Sequence, residues 1–380
     1  MRENITINNQ REKDLILELQ ARNDIDAQRL KKLLALPDLT KKEHSPIKIL
    51  VDTVMQLPRF ADFDVIEFPK IVTVEENFDV LNTPKDHPSR RQTDTYYFTD
   101  NDILRTQMTV MWPYYLRHEG IMEKLEKEGQ LALMSAGIVF RKDEIDQKHF
   151  PAFHQIDFLY ICKKDKKVIT QKDLEEVQAD AVRSIFNDIE FKFLVDSFPF
   201  TDPSIQIEIN WNGQWMEITG AGLVHKQVLK NFGLDPEIYN GWAFAFGIER
   251  LAMIKMNIND IRIFWSDDPR ITNQFTDINS KYKEVSKYPP INRDISFIIP
   301  KSVSLNNYYE LVRDAAGDLV EEVKLTDEYE NDEKFGANKK SYTFHIVYRS
   351  LEKTLTDAEV NTIHDKITEK TKEEFGAIIR

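Results

Sequence analysis

A chain of 380 residues that is 41% hydrophobic has material for a large core and, by length, for two or three domains. Its formal charge of −13 argues against a protein that coats nucleic acid through bulk positive charge, and it lacks the 18 consecutive apolar residues of a membrane span. A single cysteine, Cys162, excludes an internal disulfide and a cysteine-cluster metal site.

The first residues, MRENITINNQREKD, contain acids and no apolar stretch, which together with the lone cysteine leads us to expect a cytosolic protein with no membrane partner. Residues 12–36 place Leu15, Ile16, Leu19 and then Ile25, Leu30, Leu33, Leu34 at helical spacing before Pro37, so they predict two short helices. Ser45-Pro46 supplies an N-cap and a first-turn proline for a helix to about Leu57, with Ile47, Leu50, Val51 and Val54 on one buried stripe. Residues 63–98 alternate strand-like runs with a Pro-rich polar loop, and a strand over 102–106 hands over to a helix at Gln107 and Thr109.

Residues 140–157, FRKDEIDQKHFPAFHQID, read as two strands joined by a charged loop, the first ending on the apolar Ile138, Val139 and Phe140. Arg141 closes that strand with a planar fork of donors suited to a phosphate, and His149, Phe153, His154, Gln155 and Asp157 add stacking and hydrogen-bonding groups. A solvated hairpin has the same composition, so the residues by themselves leave both readings open. A helix follows over 171–189. Residues 193–229 then hold a Phe-Pro-Phe corner, two strands joined at Asn212-Gly213, and a Gly-Ala-Gly turn before a helix. Glu208 and Glu217 fall on the paired strands, either as surface carboxylates or as ligands of Mg²⁺ accompanying ATP. GWAFAFGIERLAMIKM passes from strand through Gly247 into a helix opening on Glu249 and Arg250, where an arginine can meet a phosphate.

After a polar linker near 278–288, the rest reads β (293–299), α (304–316), β (320–329), β (342–348), α (356–374), β (377–379), a ferredoxin-like order whose second helix opens on a Thr356/Glu359 capping box. This last hundred residues carries 16 basic and 19 acidic side chains, so it is close to charge balance.

The runs FDVLNTPKDHPSR, FRKDEID with HFPAFHQ, FPFTDPS, GAGLVH and GWAFAFGIERLAM, in this order and spacing, resemble the catalytic subunit of the phenylalanyl-tRNA synthetase family, within the class II aminoacyl-tRNA synthetases. Residues 287–380 resemble that family's ferredoxin-fold anticodon-binding domain, and having both in one chain resembles the single-chain form of mitochondria. The resemblance implies an α+β protein: an N-terminal helical appendage (1–44), a catalytic domain with an antiparallel sheet flanked by helices (45–277), a linker (278–287) and the ferredoxin-like domain (288–380). It implies ATP-dependent joining of L-phenylalanine to the terminal adenosine of tRNA(Phe) through an adenylate, with Mg²⁺, in a monomer or homodimer. Carried onto this chain, it gives Arg141 and Arg250 catalytic roles, with Asp143, His149 and Phe153 beside them on ATP. Gln107, Thr109, Gln155, Asp157, Phe198, Phe200, Ala243 and Ala245 would hold the amino acid, and Glu208 and Glu217 the metal. Gln107 stands where the family has His, Asp157 where it has Glu, and Ala245 where it has Gly; Phe246 is bulkier than its counterpart. The acidic loop KDEIDQK would meet the tRNA acceptor end. A paralogue that transfers the adenylate elsewhere, or a non-catalytic tRNA binder, is the competing reading.

Overall fold

A computed structural model describes residues 2–285, 288–336 and 338–380; residues 286 and 287, in the expected linker, lie outside the described residues. The described chain forms two compact units.

The first unit comprises Met1–Arg141, Ala152–Ile258 and Asp267–Tyr282. It begins with β1 (Asn4–Thr6), α1 (Gln10–Ala21) and α2 (Ile25–Ala35). The Asn9 and Asp24 side chains cap the two helices by accepting from Arg11 N and Ala27 N, and Leu15, Leu19, Leu30 and Leu33 are buried, so the expected helical pair is present. In α3 (Pro46–Met55) the Ser45 hydroxyl accepts from Ile47 N, and the predicted stripe Ile47, Leu50, Val51, Val54 is buried. Then come β2 (Asp64–Glu67), β3 (Ile71–Thr73), β4 (Asp102–Leu104), α4 (Met111–Leu116), α5 (Ile121–Glu128), β5 (Gln130–Phe140) and β6 (Ala152–Lys163). They are followed by α6 (Gln171–Phe186), β7 (Phe191–Phe198), β8 (Thr201–Trp211), β9 (Gln214–Val224), α7 (Lys226–Asn231), β10 (Tyr239–Gly247), α8 (Ile248–Met256) and α9 (Pro269–Thr272).

Eight strands make one sheet in the order β1-β2-β5-β6-β10-β9-β8-β7, parallel at β1-β2 and β2-β5 and antiparallel elsewhere. The Asn212-Gly213 hairpin is present, both residues at positive φ. One face of the sheet is aromatic: Phe158 stacks on Phe244 at 4.6 Å and meets Phe60 at 4.5 Å; α6 and α8 pack on the sheet, and α3 packs against those two helices.

Two local readings are corrected. The strand before Arg141 is not confined to Ile138–Phe140 but runs eleven residues from Gln130, because every residue of LALMSAG finds a partner on β6 despite weak intrinsic strand preference. Gly220-Ala221-Gly222 is not a turn: it lies inside β9, where a Cβ on Gly220 would sit 2.6 Å from Phe198 Cζ.

The second unit comprises Lys142–Pro151, Asn259–Ser266 and Lys283–Arg380. Its elements are β11 (Ile291–Pro300), α10 (Leu305–Ala316), β12 (Val320–Tyr329), α11 (Asp332–Phe335), β13 (Lys339–Tyr348), α12 (Asp357–Phe375) and β14 (Ile378–Ile379), with an antiparallel sheet β12-β13-β11-β14. This is the ferredoxin-like order read from the sequence, and the Thr356/Glu359 capping box closes the start of α12. Around its core of Phe297, Tyr308, Leu311, Phe344 and Ile346 the unit recruits Ile145, whose carbonyl accepts from Val323 N at 2.9 Å. Arg313 Nη2 donates to the Asp143 and Glu144 carbonyls at 2.7 and 2.9 Å, and Arg262 joins Asp260 and Glu321 at 2.6 and 3.1 Å.

Candidate active site

Directly opposed residues on neighbouring strands share a face, so the register builds the site without reference to sequence separation. Ser135, Asp157, Ala245, Gly220 and Gln206 are successive partners across β5, β6, β10, β9 and β8. Gly137, Gln155 and Gly247 form the next row on that face, and Leu159, Ala243 and Gly222 the row on the other side. The result is a floor rich in small residues, with the Asp157 carboxylate and the Gln155 amide side by side on β6 and Gln206 at its far end on β8.

Asp157 is 2% exposed; it accepts from Thr109 Oγ1 at 2.7 Å and from Trp112 Nε1 at 3.4 Å. Burial pushes its carboxyl up to about 7, with the two hydrogen bonds working in the opposite direction. Gln155 Oε1 accepts from Met108 N at 3.0 Å, which fixes the amide against the short 3₁₀ turn of residues 108–110. Gln107, immediately before that turn, donates from Nε2 to Asn77 O at 3.3 Å.

The Phe-Pro-Phe corner closes over the small-residue floor. The Phe198 ring occupies the space that a Gly220 side chain would need, Phe198 and Phe200 stack at 6.0 Å with their planes 13° apart, and Phe200 meets Trp112 edge-on at 5.9 Å. Asn82 Nδ2 ties the corner down through Pro199 O at 2.9 Å. Phe246, bulkier than its family counterpart, is fully buried and meets Phe244 edge-on among the rings of the opposite face, so it does not line this floor. Ala245 does lie on it, its carbonyl held by Thr219 Oγ1 at 2.6 Å.

At the end of β5, Arg141 Nε donates to Thr106 O at 2.9 Å and its guanidinium lies 5.2 Å from the Phe153 ring centre. Arg250 is exposed on the first turn of α8, with Nη1 donating to Glu217 O at 3.2 Å. Glu208 and Glu217 are cross-strand partners; Glu208 is ion-paired with Lys192 at 3.0 Å. Among the described residues, no group of three or more His, Cys, Asp or Glu side chains forms a metal site.

Thirteen of the fifteen expected site residues therefore lie in the first unit. Asp143 and His149 belong to the second: Asp143 gives its carbonyl to Arg313, and His149 Nδ1 pairs with Asp146 Oδ2 at 2.9 Å. That carboxylate, and those of Asp143 and Glu144, raise the His149 pKa. Four contributors were not read from the sequence: Trp112, the Met108 N–H, the space over Gly220, and a buried clamp in which His154 Nδ1 and N–H meet Glu249 Oε1 and Oε2 at 2.6 and 2.8 Å. Trp112 had a signal, because it stands three residues after Thr109 at a helix start and so falls on the same side.

Residues 32–275 match the model of the class II tRNA synthetase core domain (F), and residues 286–380 that of the ferredoxin-fold anticodon-binding domain. The chain is 35% identical over 358 residues to the chloroplastic/mitochondrial phenylalanine–tRNA ligase of Arabidopsis thaliana, covering 90% of this chain and 80% of that protein. It is 34% identical over 372 residues to the mitochondrial enzyme of Mus musculus, covering 88% and 78%. The chain belongs to the phenylalanine–tRNA ligase family. As a phenylalanine–tRNA ligase it combines the class II core and the anticodon-binding domain in one chain. The phenylalanine–tRNA ligase alpha subunit of Nostoc punctiforme, by contrast, aligns with only 60% of it, at 36% identity. The expected cytosolic location does not stand: the relatives that span most of this chain are named mitochondrial or chloroplastic. Neither the opening residues nor a cysteine count carries the compartment of such an enzyme.

Proposed function

We propose that the front face of the large sheet activates L-phenylalanine with ATP and passes it to tRNA(Phe), with the roles distributed as follows. The observation that carries this reading is the buried Asp157, held by Thr109 and Trp112 at the edge of a floor roofed by Phe198 and Phe200. A carboxylate in an apolar, aromatic recess suits an ammonium group attached to an aromatic side chain. Asp157 and Gln155 receive the α-ammonium, Gln107 and Thr109 border it, and the ring lies over Ala243 and Ala245 against the edges of Phe198 and Phe200. A tyrosine hydroxyl placed among these rings would be buried without a partner, which favours phenylalanine.

The substrate carboxylate oxygen then attacks the ATP α-phosphorus in line, and the bond to pyrophosphate breaks. Arg141, braced by Thr106 O and Phe153, supplies donors where negative charge gathers, a contribution worth about 10²–10³ in rate for one such donor. The adenine stacks between Phe153 and Arg250. In the second step a hydroxyl of the terminal adenosine attacks the acyl carbon and AMP leaves. The paired carboxylates Glu208 and Glu217 fit Mg²⁺, a hard cation that takes one or two protein carboxylates and fills its shell with water and phosphate, and Glu208 would exchange its Lys192 partner for it. The ion supplies charge neutralisation on the phosphates when bound.

Exchange of labelled pyrophosphate into ATP, run with each of the twenty amino acids, tests the reading. Phenylalanine is expected to support exchange far above the rest, with charging of tRNA(Phe) alongside. Exchange with no charging would place the acyl group on another acceptor, and no phenylalanine-dependent exchange would end the proposal.

A further inference from the structure

A half-open cavity of about 580 Å³ lies between α1, α2 and the segment running from β2 into β3, and it reaches β5 at Ser135 and Ala136. It adjoins the floor of the candidate active site at Ser135 and Met108, but no side chain assigned above to phenylalanine, ATP or the metal lines it. Its walls are apolar at Ile16, Leu19, Leu34, Phe68 and Met108, and its size is that of a small-molecule site.

Its charges are unevenly satisfied. Three carboxylates line it, and each is engaged: Glu12 Oε1 accepts from Lys70 N and Ile71 N, Asp38 Oδ1 from Thr40 N and Oγ1, and Glu67 pairs with Lys41 at 2.8 Å. Of the four cations, Lys41 has that partner and Lys31 Nζ donates to the Gln20 and Arg22 carbonyls. Lys70 and Arg105 have no carboxylate within ion-pair distance among the described residues. The Lys70 ammonium makes no hydrogen bond there, and desolvation lowers its pKa. Arg105 is 4% exposed; Nε donates to Ile138 O and Nη1 to Phe68 O, while Nη2, above Gly137, has no hydrogen-bond partner among the described residues. Nη2 is therefore the guanidinium nitrogen that faces the cavity, and a mostly buried arginine with no carboxylate beside it suits an anion placed there.

We propose that this cavity is a second ligand site, for a small monocarboxylate with an apolar body, whose carboxylate lies between Arg105 Nη2 and Lys70 Nζ. Two free donors match the two oxygens of a carboxylate, and a surplus of one cation over the lining carboxylates matches one negative charge. The apolar walls take the remainder. A phosphate would bring more acceptors and more charge than the site offers.

The probe is octanoate, titrated by calorimetry into the full-length protein saturated with phenylalanine, with inorganic phosphate and 1-octanol in separate titrations. Saturable octanoate binding, at least tenfold weaker in Lys70→Met and retained in Lys70→Arg, is the expected result, while pyrophosphate exchange without octanoate stays unchanged in both variants. Absence of saturable binding, equal binding by Lys70→Met, or loss of octanoate binding as phenylalanine is raised would overturn the proposal. Phosphate or octanol binding as tightly as octanoate would overturn the ligand class. None of these readouts depends on the residues assigned to aminoacylation.

Discussion

His154 and Glu249 grip each other twice across the buried side of the sheet, ring to carboxylate at 2.6 Å and backbone N–H to the other carboxylate oxygen at 2.8 Å. Leu39 N–H donates to the remaining ring nitrogen, Nε2, at 3.0 Å, so the imidazole proton sits on Nδ1 and points at Glu249. Each partner is one residue from a nucleotide contact proposed above, Phe153 beside His154 and Arg250 beside Glu249. The clamp thus sets the spacing of the two groups that would enclose the adenine.

Glu249→Ala leaves two buried donors on β6 unsatisfied. Urea unfolding is expected to show a loss of about 3 kcal/mol, and pyrophosphate exchange to show a raised KM for ATP with that for phenylalanine little changed. Unaltered stability would mean that the clamp is dispensable.

Asp157→Asn separates stability from binding. In the fold the carboxyl stays protonated up to about 7, whereas in the unfolded chain it ionises near 4. Between those values the folded state holds the extra proton, so this carboxyl costs increasing stability as pH rises. The Asn variant is therefore expected to melt above the parent at pH 8 and to lose the advantage near pH 4. Its KM for phenylalanine should rise by about 10- to 100-fold, the worth of one charge-assisted hydrogen bond.

The same titration governs ligand affinity in the parent protein. The α-ammonium binds the ionised carboxylate, so the Kd for phenylalanine should worsen by about tenfold per unit as pH falls below the Asp157 pKa and flatten above it. Calorimetry from pH 5.5 to 8.5 reads this directly; a flat profile would remove Asp157 from the ammonium site.

Gly220→Ala puts a methyl group 2.6 Å from the Phe198 ring. The ring must leave its place, and we expect the KM for phenylalanine to rise more than that for ATP, with discrimination against tyrosine reduced. Equal change in both constants would point to a general loss of the strand instead.

Arg141→Ala should lower phenylalanine-dependent exchange by about 10²–10³ with the fold retained. Arg141→Lys is expected to restore little, because a point charge cannot hold two oxygens with one planar fork. Full activity in Arg141→Lys would reduce the role of Arg141 to charge alone.

The sequence by itself determined what rests on local rules. The capped helices α1 to α3, the Asn212-Gly213 hairpin and the ferredoxin-like order each follow from short-range spacing of apolar, capping and turn residues. It also supplied the candidate side chains on the front face, since Gln155 and Asp157 alternate on one strand. Only the tertiary structure decided what those side chains meet. Gly220 looked like a turn residue because its role depends on Phe198, twenty-two positions away and two strands over. Trp112 and Thr109 reach Asp157 across more than forty residues, and it is the burial of Asp157 itself, against those two hydrogen bonds, that raises its pKa. That Lys70 and Arg105 have no carboxylate within ion-pair distance among the described residues comes from how distant segments pack around the cavity, which no local pattern encodes.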